Sequence, residues 1–448
     1  MVSTVAIKDS KAFFRNRFVR TDSFKKEQDA GRYLDMSIFT KEDPRDGNAF
    51  WNRLWKDMIN GPPEPKDNAA YNVVHWAGSL CAVSYKRPWK LDTDNLKTIG
   101  RGKDTFSSLD YTAHYRPLRE PGSSDAVHMV TMDPKTDWAN NTSSYTFREI
   151  DEGGQLVKTS GPFVMEAGYN HDLIVTDNWY ILFDSPVKMD YWRVLWGYPM
   201  QEESLGGTTK TDTSRMPRFR LFPRRGQNNN QVIEVEASRH TYAYHHINGF
   251  EEDGKIIFDT CIFDDYDLYF AGTIETDGKT TYPDSKFARF EIDPLAGTCS
   301  DRILDKTPFE FPMINENFHG KPYQYSFQVG VGYRESSGVY GPLQTLMKVS
   351  MDSTSKDSTK KDIDFWHPGV NRFCHEPSLV QKEGTTDEDD VWVLTVVYDA
   401  AEKSSYLAIL DGKDFSKGAV ATVKLPTLIP YGVHGSWTNE YICGDPNS

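Results

Sequence analysis

Cysteine is scarce and unpatterned in this chain. Cys81, Cys261, Cys299, Cys374 and Cys443 are odd in number, far apart, and make no CxxC pair. That excludes a disulfide framework and a zinc–thiolate site, and reads as reduced intracellular thiols. Positive charge is also short: 51 Lys and Arg stand against 65 Asp and Glu, a formal net charge of −14. A non-specific nucleic-acid binder or a polybasic membrane anchor needs a cationic surface, so both are excluded. Long apolar runs are missing too. No stretch of the 448 residues approaches the roughly 20 apolar positions of a membrane span, and the N-terminal MVSTVAIKDSKAFFRNRF lacks the apolar core of a signal peptide. A soluble, cytoplasmic protein is therefore expected. The usual catalytic signatures are absent as well: HExxH, a Walker-type phosphate loop and a GxSxG elbow do not occur.

What is present is apolar and aromatic. Hydrophobic residues make up 38% and aromatic residues 13%, which is enough side-chain area for a sizeable core and too much for a disordered chain. The apolar pattern comes in short β-rich runs closed by turn residues. Residues 73–85, 172–184, 241–263 and 391–412 each read as strand, turn, strand. Such hairpins recur from end to end without long helices between them, which predicts a large antiparallel all-β architecture, a propeller or a sandwich. Sequence periodicity does not choose between those two, since no WD-type blade signature repeats. One segment differs. In NAFWNRLWKDMING, the residues Phe50, Trp51, Leu54, Trp55, Met58 and Ile59 line one face of a helix over 49–60, packed on the β core or docked on a membrane or partner. Residues 350–364 form a polar low-complexity loop.

Eleven histidines occur, several inside β-like runs where a polar ring needs a reason. Four contexts stand out: YTAHYRP around His114, YNHDLIVTDNWYILFD around His171, YHHINGFEEDGKIIFD around His245 and IPYGVHGSW around His434. In that order they resemble the four iron-ligand motifs of the carotenoid cleavage oxygenase family. That family includes carotenoid and apocarotenoid dioxygenases, stilbene-cleaving dioxygenases and a retinoid isomerohydrolase. The runs at 309–327 and 376–399 extend the resemblance over nearly the whole chain.

The resemblance implies a seven-bladed β-propeller in which four strands each bring one histidine to the axis, holding Fe(2+) with positions open for dioxygen, under a loop and helix cap. Neutral imidazole suits ferrous iron. In the third motif two histidines are adjacent, and neighbouring strand residues point to opposite faces, so only one can face the axis. The family's ligand stands three residues before the Asn, which selects His245 and leaves His246 to packing or surface. Family glutamates that orient the ligands match Glu310 and Glu376.

The chain departs from the family in four places. Tyr85 stands where the family has a third orienting glutamate, so the ligand it would support, His171, is expected to be the weaker donor. Tyr71 takes a position where the family commonly has a small or β-branched residue facing the open iron site; both tyrosines are candidate substrate contacts. Ser84 replaces the lysine that holds the phenol in stilbene-cleaving members. Finally, Met1 aligns with an internal methionine of the family, so a single domain over 1–448, shortened at its N-terminus and less stable than longer relatives, is expected.

The implied function is oxidative cleavage of a carbon–carbon double bond in an apolar conjugated substrate, a carotenoid or apocarotenoid, to two carbonyl products. A stilbene or other phenylpropanoid is the alternative substrate, isomerase chemistry on the same iron is a third reading, and a catalytically silent propeller that retains a structural metal is the fourth. The aromatic run at 191–200 and the 49–60 helix are candidates for a tunnel mouth or for peripheral membrane contact.

Overall fold

The computed structural model describes residues 1–34, 66–84, 87–110, 112–119, 127–137, 140–190, 192, 209–264, 285–330, 343–351 and 363–444. The 49–60 segment, Tyr85 and most of 191–200 and 350–364 lie outside the described residues.

The hairpins expected from the apolar pattern are present. A first hairpin, β1 (Val2–Lys8) and β2 (Lys11–Arg17), is followed by helix α1 (Asp22–Ala30). The hairpin pattern gave no hint of α1, although its boundaries are written locally. The Thr21 hydroxyl accepts from the Phe24 N–H as N-cap, and Gly31 closes the helix at φ 62°.

Blade one comprises β3 (Asn72–Trp76), β4 (Ser79–Val83), β5 (Trp89–Leu91) and β6 (Thr98–Arg101); blade two comprises β7 (Arg116–Arg119), β8 (Val127–Asp137), β9 (Thr142–Asp151) and β10 (Leu156–Glu166). Blade three comprises β11 (Ile174–Val175), β12 (Trp179–Asp184), β15 (Arg218–Pro223) and β16 (Ile233–Glu236), interrupted by the ribbon β13 (Val187–Met189) and β14 (Thr209–Thr211). Blade four runs through β17 (His246–Glu252), β18 (Lys255–Phe263), β19 (Ser285–Asp293) and β20 (Thr298–Asp305). Blade five runs through β21 (Phe309–Met313), β22 (Tyr325–Gly330), β23 (Thr345–Ser350) and β24 (Ile363–Trp366). Blade six holds β25 (Arg372–Cys374), β26 (Ser378–Gln381), β27 (Val391–Asp399), β28 (Ser404–Asp411) and β29 (Ala419–Lys424). Both β25 and β26 pair with β27, so the inner edge of this blade is broken around residues 375–377.

The placement of the cores selects a propeller over a sandwich. Val74 and Val83 of blade one pack with Met129 and Ile150 of blade two, and Phe147 of blade two packs with Tyr180 and Phe222 of blade three. The same sharing joins blades three and four, four and five, and five and six. A sheet covered on both faces reads as continuously apolar, which is why all six residues of β12, WYILFD, are buried, whereas the outer β10 alternates between half-buried and exposed. The β1–β2 hairpin takes the seventh position. Val2 joins the core of blade one, while Phe13–Asn16 of β2 share a cleft with Pro426 and Thr427, just after β29.

Polar staples link neighbouring blades. Glu251 of blade four accepts hydrogen bonds from Thr176 Oγ1 and from the backbone and side chain of Asn178 in blade three. The segment after β29 returns to blade one, where Ser436 Oγ donates to the Val73 carbonyl at 2.6 Å and the Cys443 N–H donates to the Thr93 carbonyl. All five cysteines are free thiols. Among the described residues, no helix is long and apolar enough to cross a membrane.

Candidate metal centre

The four singled-out histidines meet at the centre of the ring. One ligand nitrogen from each of His114, His171, His245 and His434 lies within 4.8 Å of the others. Their rings stand 4.6 Å (His114–His434) to 5.0 Å (His171–His245) apart, mostly edge to face. Three of the segments enter from the start of an inner strand. His114 is two residues before β7, His171 three before β11, and His245 immediately before β17, while His434 sits in the irregular segment after β29. The expectation that strands themselves carry the histidines is thus corrected. At the axis the inner strands converge, and irregular residues just ahead of them can turn a ring inward where the pleat would aim it at a neighbouring blade.

The adjacent pair separates as the spacing argument anticipated. His245 faces the cluster, while His246, 3% exposed, packs on the Phe258 ring and shares a 2.8 Å hydrogen bond between its Nδ1 and Thr260 Oγ1.

Two glutamates reach two of the rings. Glu310 Oε2 lies 2.5 Å from His245 Nδ1 and accepts from the Phe311 N–H; Glu376 Oε1 lies 2.8 Å from His434 Nδ1, and its other oxygen accepts from the Gly435 N–H. Glu376 sits in the break between β25 and β26, and that interruption frees its backbone to turn toward the axis. With Nδ1 occupied, Nε2 is left for the centre. The Nε2 atoms of His114 and His245 are buried and have no hydrogen-bond partner. Ligand nitrogens roughly 2.1 Å from one ion are at most about 4.2 Å apart, so sub-ångström contraction of the observed set closes it around a metal. The donors therefore fit one.

The protonation states of two of the rings agree. Burial, reinforced by the neighbouring imidazoles, holds His114 and His171 well below the usual histidine range. Burial acts in the same sense on His245, but the Glu310 carboxylate outweighs it and raises that ring. His114 and His171 are consequently neutral, as ligands must be.

His114 and His171 have no carboxylate hydrogen-bonded to their rings among the described residues. The nearest carboxylate to His114 is Asp172, with Oδ1 3.9 Å from Nδ1. Asp172 is 1% exposed. Burial alone would raise its carboxyl, but the Arg116 guanidinium and the His246 N–H hold it below its ordinary value.

Of the candidate substrate contacts, Tyr71 is half-buried just before β3, and burial pushes its phenol up to about 12, with Tyr169 and Asp67 adding to the shift. Tyr71 makes no ring contact with the four histidines among the described residues. Ser84 is fully buried and donates to Asp67 Oδ1 at 2.6 Å. The aromatic rings that do touch the cluster lie outside the candidates that the motifs single out. Tyr244 meets His171 edge-on at 5.4 Å, and Phe311 lies 5.1 Å from His245 and 5.6 Å from His434. Phe311 holds φ 54°, a left-handed conformation uncommon for a bulky residue. It aims the ring at two histidines while its neighbour Glu310 bonds one of them. The adjacency to Glu310 was the available clue; the backbone conformation was not readable.

Glu310→Gln is expected to weaken metal binding by about 10–100-fold, the usual effect of losing an outer partner of a ligand histidine. Competition with a chromophoric chelator measures it, and an affinity equal to wild type would show that Glu310 does not tune the ligand.

The family model of the retinal pigment epithelial membrane protein (RPE65) matches residues 1–439. Among curated proteins, the apocarotenoid-15,15'-oxygenase of Synechocystis sp. is 29% identical over 442 residues, 96% of this chain and 83% of that protein. Resveratrol cleavage oxygenase 1 of Chaetomium globosum is 24% identical over 98% of this chain and 78% of its own length. Among solved structures, a chimera of the Synechocystis oxygenase and RPE65 superposes with a TM-score of 0.84 at 25% identity, covering 98% of this chain and 87% of that one. The cobalt-substituted Synechocystis oxygenase gives a TM-score of 0.82 at 26% identity, over 97% and 86% of the two chains.

Proposed function

Because the chain belongs to the RPE65 family, the carotenoid cleavage oxygenases, we propose that it is a ferrous-iron dioxygenase. It would cleave a carbon–carbon double bond of an apolar conjugated substrate to two carbonyl products. The observation that carries this reading is the convergence of four histidine nitrogens within 4.8 Å, two of them buried and without any other partner. His114, His171, His245 and His434 would hold the iron, which when bound supplies open coordination positions for dioxygen chemistry.

The chain's own residues do the rest. Glu310 and Glu376 fix the Nδ1–H tautomer of His245 and His434, so that each presents a neutral Nε2. The Phe311 and Tyr244 rings exclude water from the side of the cluster they cover and offer flat apolar faces to a conjugated chain. Six of the apolar clusters among the described residues span two neighbouring blades or the hairpin and a blade, which supports treating the chain as one propeller domain.

A carotenoid or apocarotenoid is the favoured substrate class. Ser84, which replaces the phenol-holding lysine of stilbene-cleaving members, is fully buried with its hydroxyl committed to Asp67, and the Synechocystis apocarotenoid oxygenase is among the relatives. One observation favours the silent-propeller reading: the His171 ring has no orienting carboxylate among the described residues. Protein reconstituted with ferrous iron and offered an apocarotenoid and a hydroxystilbene under labelled dioxygen separates these readings. Labelled aldehydes from the apocarotenoid are expected. Products from the hydroxystilbene alone would move the assignment to that class, and an iron-loaded protein inert toward both would favour the silent propeller.

A further inference from the structure

The four histidines are anchored in two different ways. His245 and His434 are held through their rings by Glu310 and Glu376. Among the described residues, the His114 and His171 rings have no such anchor, so their positions depend on the backbone that carries them. That backbone is tied at one point. Arg116 lies two residues after His114, Asp172 directly after His171, and His246 directly after His245. Asp172 Oδ2 accepts both from Arg116 Nη2 at 2.6 Å and from the His246 N–H at 2.9 Å. Arg116 Nη2 also donates to the His246 carbonyl at 3.3 Å. The other carboxylate oxygen of Asp172 accepts from the Leu173 N–H at 2.7 Å, which fixes the side chain's rotamer. Segments 56 to 130 residues apart in sequence thus meet in one buried knot next to the cluster.

We propose that the Arg116–Asp172 ion pair is a positioning clamp that sets the mutual spacing of His114, His171 and His245, and with it the affinity and coordination geometry of the metal they bind. This rests on the metal-centre reading above. The pair acts through geometry. The 3.9 Å separation of Asp172 Oδ1 from His114 Nδ1 is beyond hydrogen-bonding reach, so the pair's tie to that histidine runs through the backbone. A buried ion pair is also weak as a source of stability, because an apolar pair of similar volume often serves as well. A shared carboxylate that bonds a guanidinium and a peptide N–H from two other segments, in contrast, fixes directions that apolar packing does not. His434 lies outside the clamp, tied instead to Glu376 and, through Ser436, to blade one. His114 and His171 should therefore shift relative to His245 when the clamp is broken, and His434 should stay.

The test uses the full chain stripped of metal and titrated with Co(II) against a chromophoric chelator, reading affinity and the visible cobalt absorption. The variants are Arg116→Met, Arg116→Lys and Asp172→Asn. The comparison variant, Asp259→Asn, breaks the buried Asp259–Arg289 pair between β18 and β19, whose bonds are both 2.8 Å. Arg116→Met and Asp172→Asn are expected to weaken Co(II) binding by about 10–100-fold and to alter the cobalt spectrum, with Arg116→Lys recovering part of both. Asp259→Asn is expected to lower the melting temperature while leaving affinity and spectrum as in wild type. Unchanged cobalt binding in folded Arg116→Met, or an equal change in Asp259→Asn, would overturn the clamp. Failure of all three clamp variants to fold would also overturn it, assigning the pair to stability. Wild-type protein that binds no Co(II) would instead refute the metal-centre reading itself.

Discussion

His434→Ala is expected to abolish metal binding and oxygenase activity while leaving the fold intact, whereas His246→Ala is expected to do the reverse. The two differ in what surrounds them. His434 lies in an irregular segment with exposed neighbours, its ring 4.6 Å from His114 and bonded to Glu376. Truncating it empties one ligand position and opens no cavity in a blade core. The loss should exceed about 100-fold, more than the roughly 10–100-fold that follows removal of an outer partner. His246 starts β17, buried between Phe258 and Phe183, with ring distances of 4.7 and 6.3 Å. Removing its ring should cost on the order of 2–4 kcal/mol in stability, by the cavity argument that applies to other large buried side chains, with metal affinity within a few-fold of wild type. Chelator competition and melting temperature, measured on both variants, give four values. Comparable loss of metal binding in the two would sink the ligand assignment.

Arg224→Met is expected to be among the most destabilising single changes in the molecule. Arg224 follows β15 and reaches into blade two, where its Nε and Nη2 donate to the two oxygens of Glu149 on β9 at 2.9 and 2.7 Å. Tyr180 of β12 donates to the same carboxylate at 2.5 Å. Arg224 and Glu149 are about as buried as the surrounding core. Burial alone would raise the Glu149 carboxyl, but the hydrogen bonds and charge of Arg224, helped by Tyr180, hold it at about 2 against an ordinary value of 4.5. Removing the guanidinium leaves the buried carboxylate with only Tyr180, Lys158 at 3.6 Å and His128 at 3.3 Å as partners among the described residues, so the cost falls toward the lower end of roughly 3–5 kcal/mol. Denaturant titration at neutral pH measures this, and a loss below about 1 kcal/mol would contradict it. The pH dependence has a definite sign. A carboxyl whose folded value lies below its unfolded value contributes stability that is present above pH 4.5 and lost as pH falls toward about 2. In wild type that contribution is on the order of 3 kcal/mol. Arg224→Met should flatten this acid-side slope, and Glu149→Gln in the same chain should restore part of the neutral-pH stability.

Much of the candidate site is legible without coordinates, because its parts are written into short contiguous motifs. His114, His171, His245 and His434 each sit in a recognisable run, and the choice of His245 over His246 follows from spacing to Asn248 and from the two-residue period of a strand. Glu310 and Glu376 come with their own motifs, and each bonds one ring. The clamp is different: Arg116 and Asp172 lie within the runs around His114 and His171, yet nothing local states that these two charges pair across 56 residues. Phe311 was hidden for another reason: its contact with two histidines depends on a positive φ, which no side-chain pattern encodes for a phenylalanine.

By itself, then, the sequence determined the all-β class and the hairpin spans, which depend on period-two alternation and turn residues, properties of contiguous chain. Which histidines converge was implied by the resemblance of their short motifs to the family's. The hairpin pattern left sandwich and propeller open and the resemblance implied the propeller; the tertiary structure settled it, because that choice lies in which sheet shares its apolar face with which. It also decided that three histidines stand just ahead of the inner strands and not on them, and that two are anchored through their rings while two depend on an ion pair between their segments. Those facts belong to the convergence of distant segments on one axis, where packing between blades, and no local preference, fixes the positions.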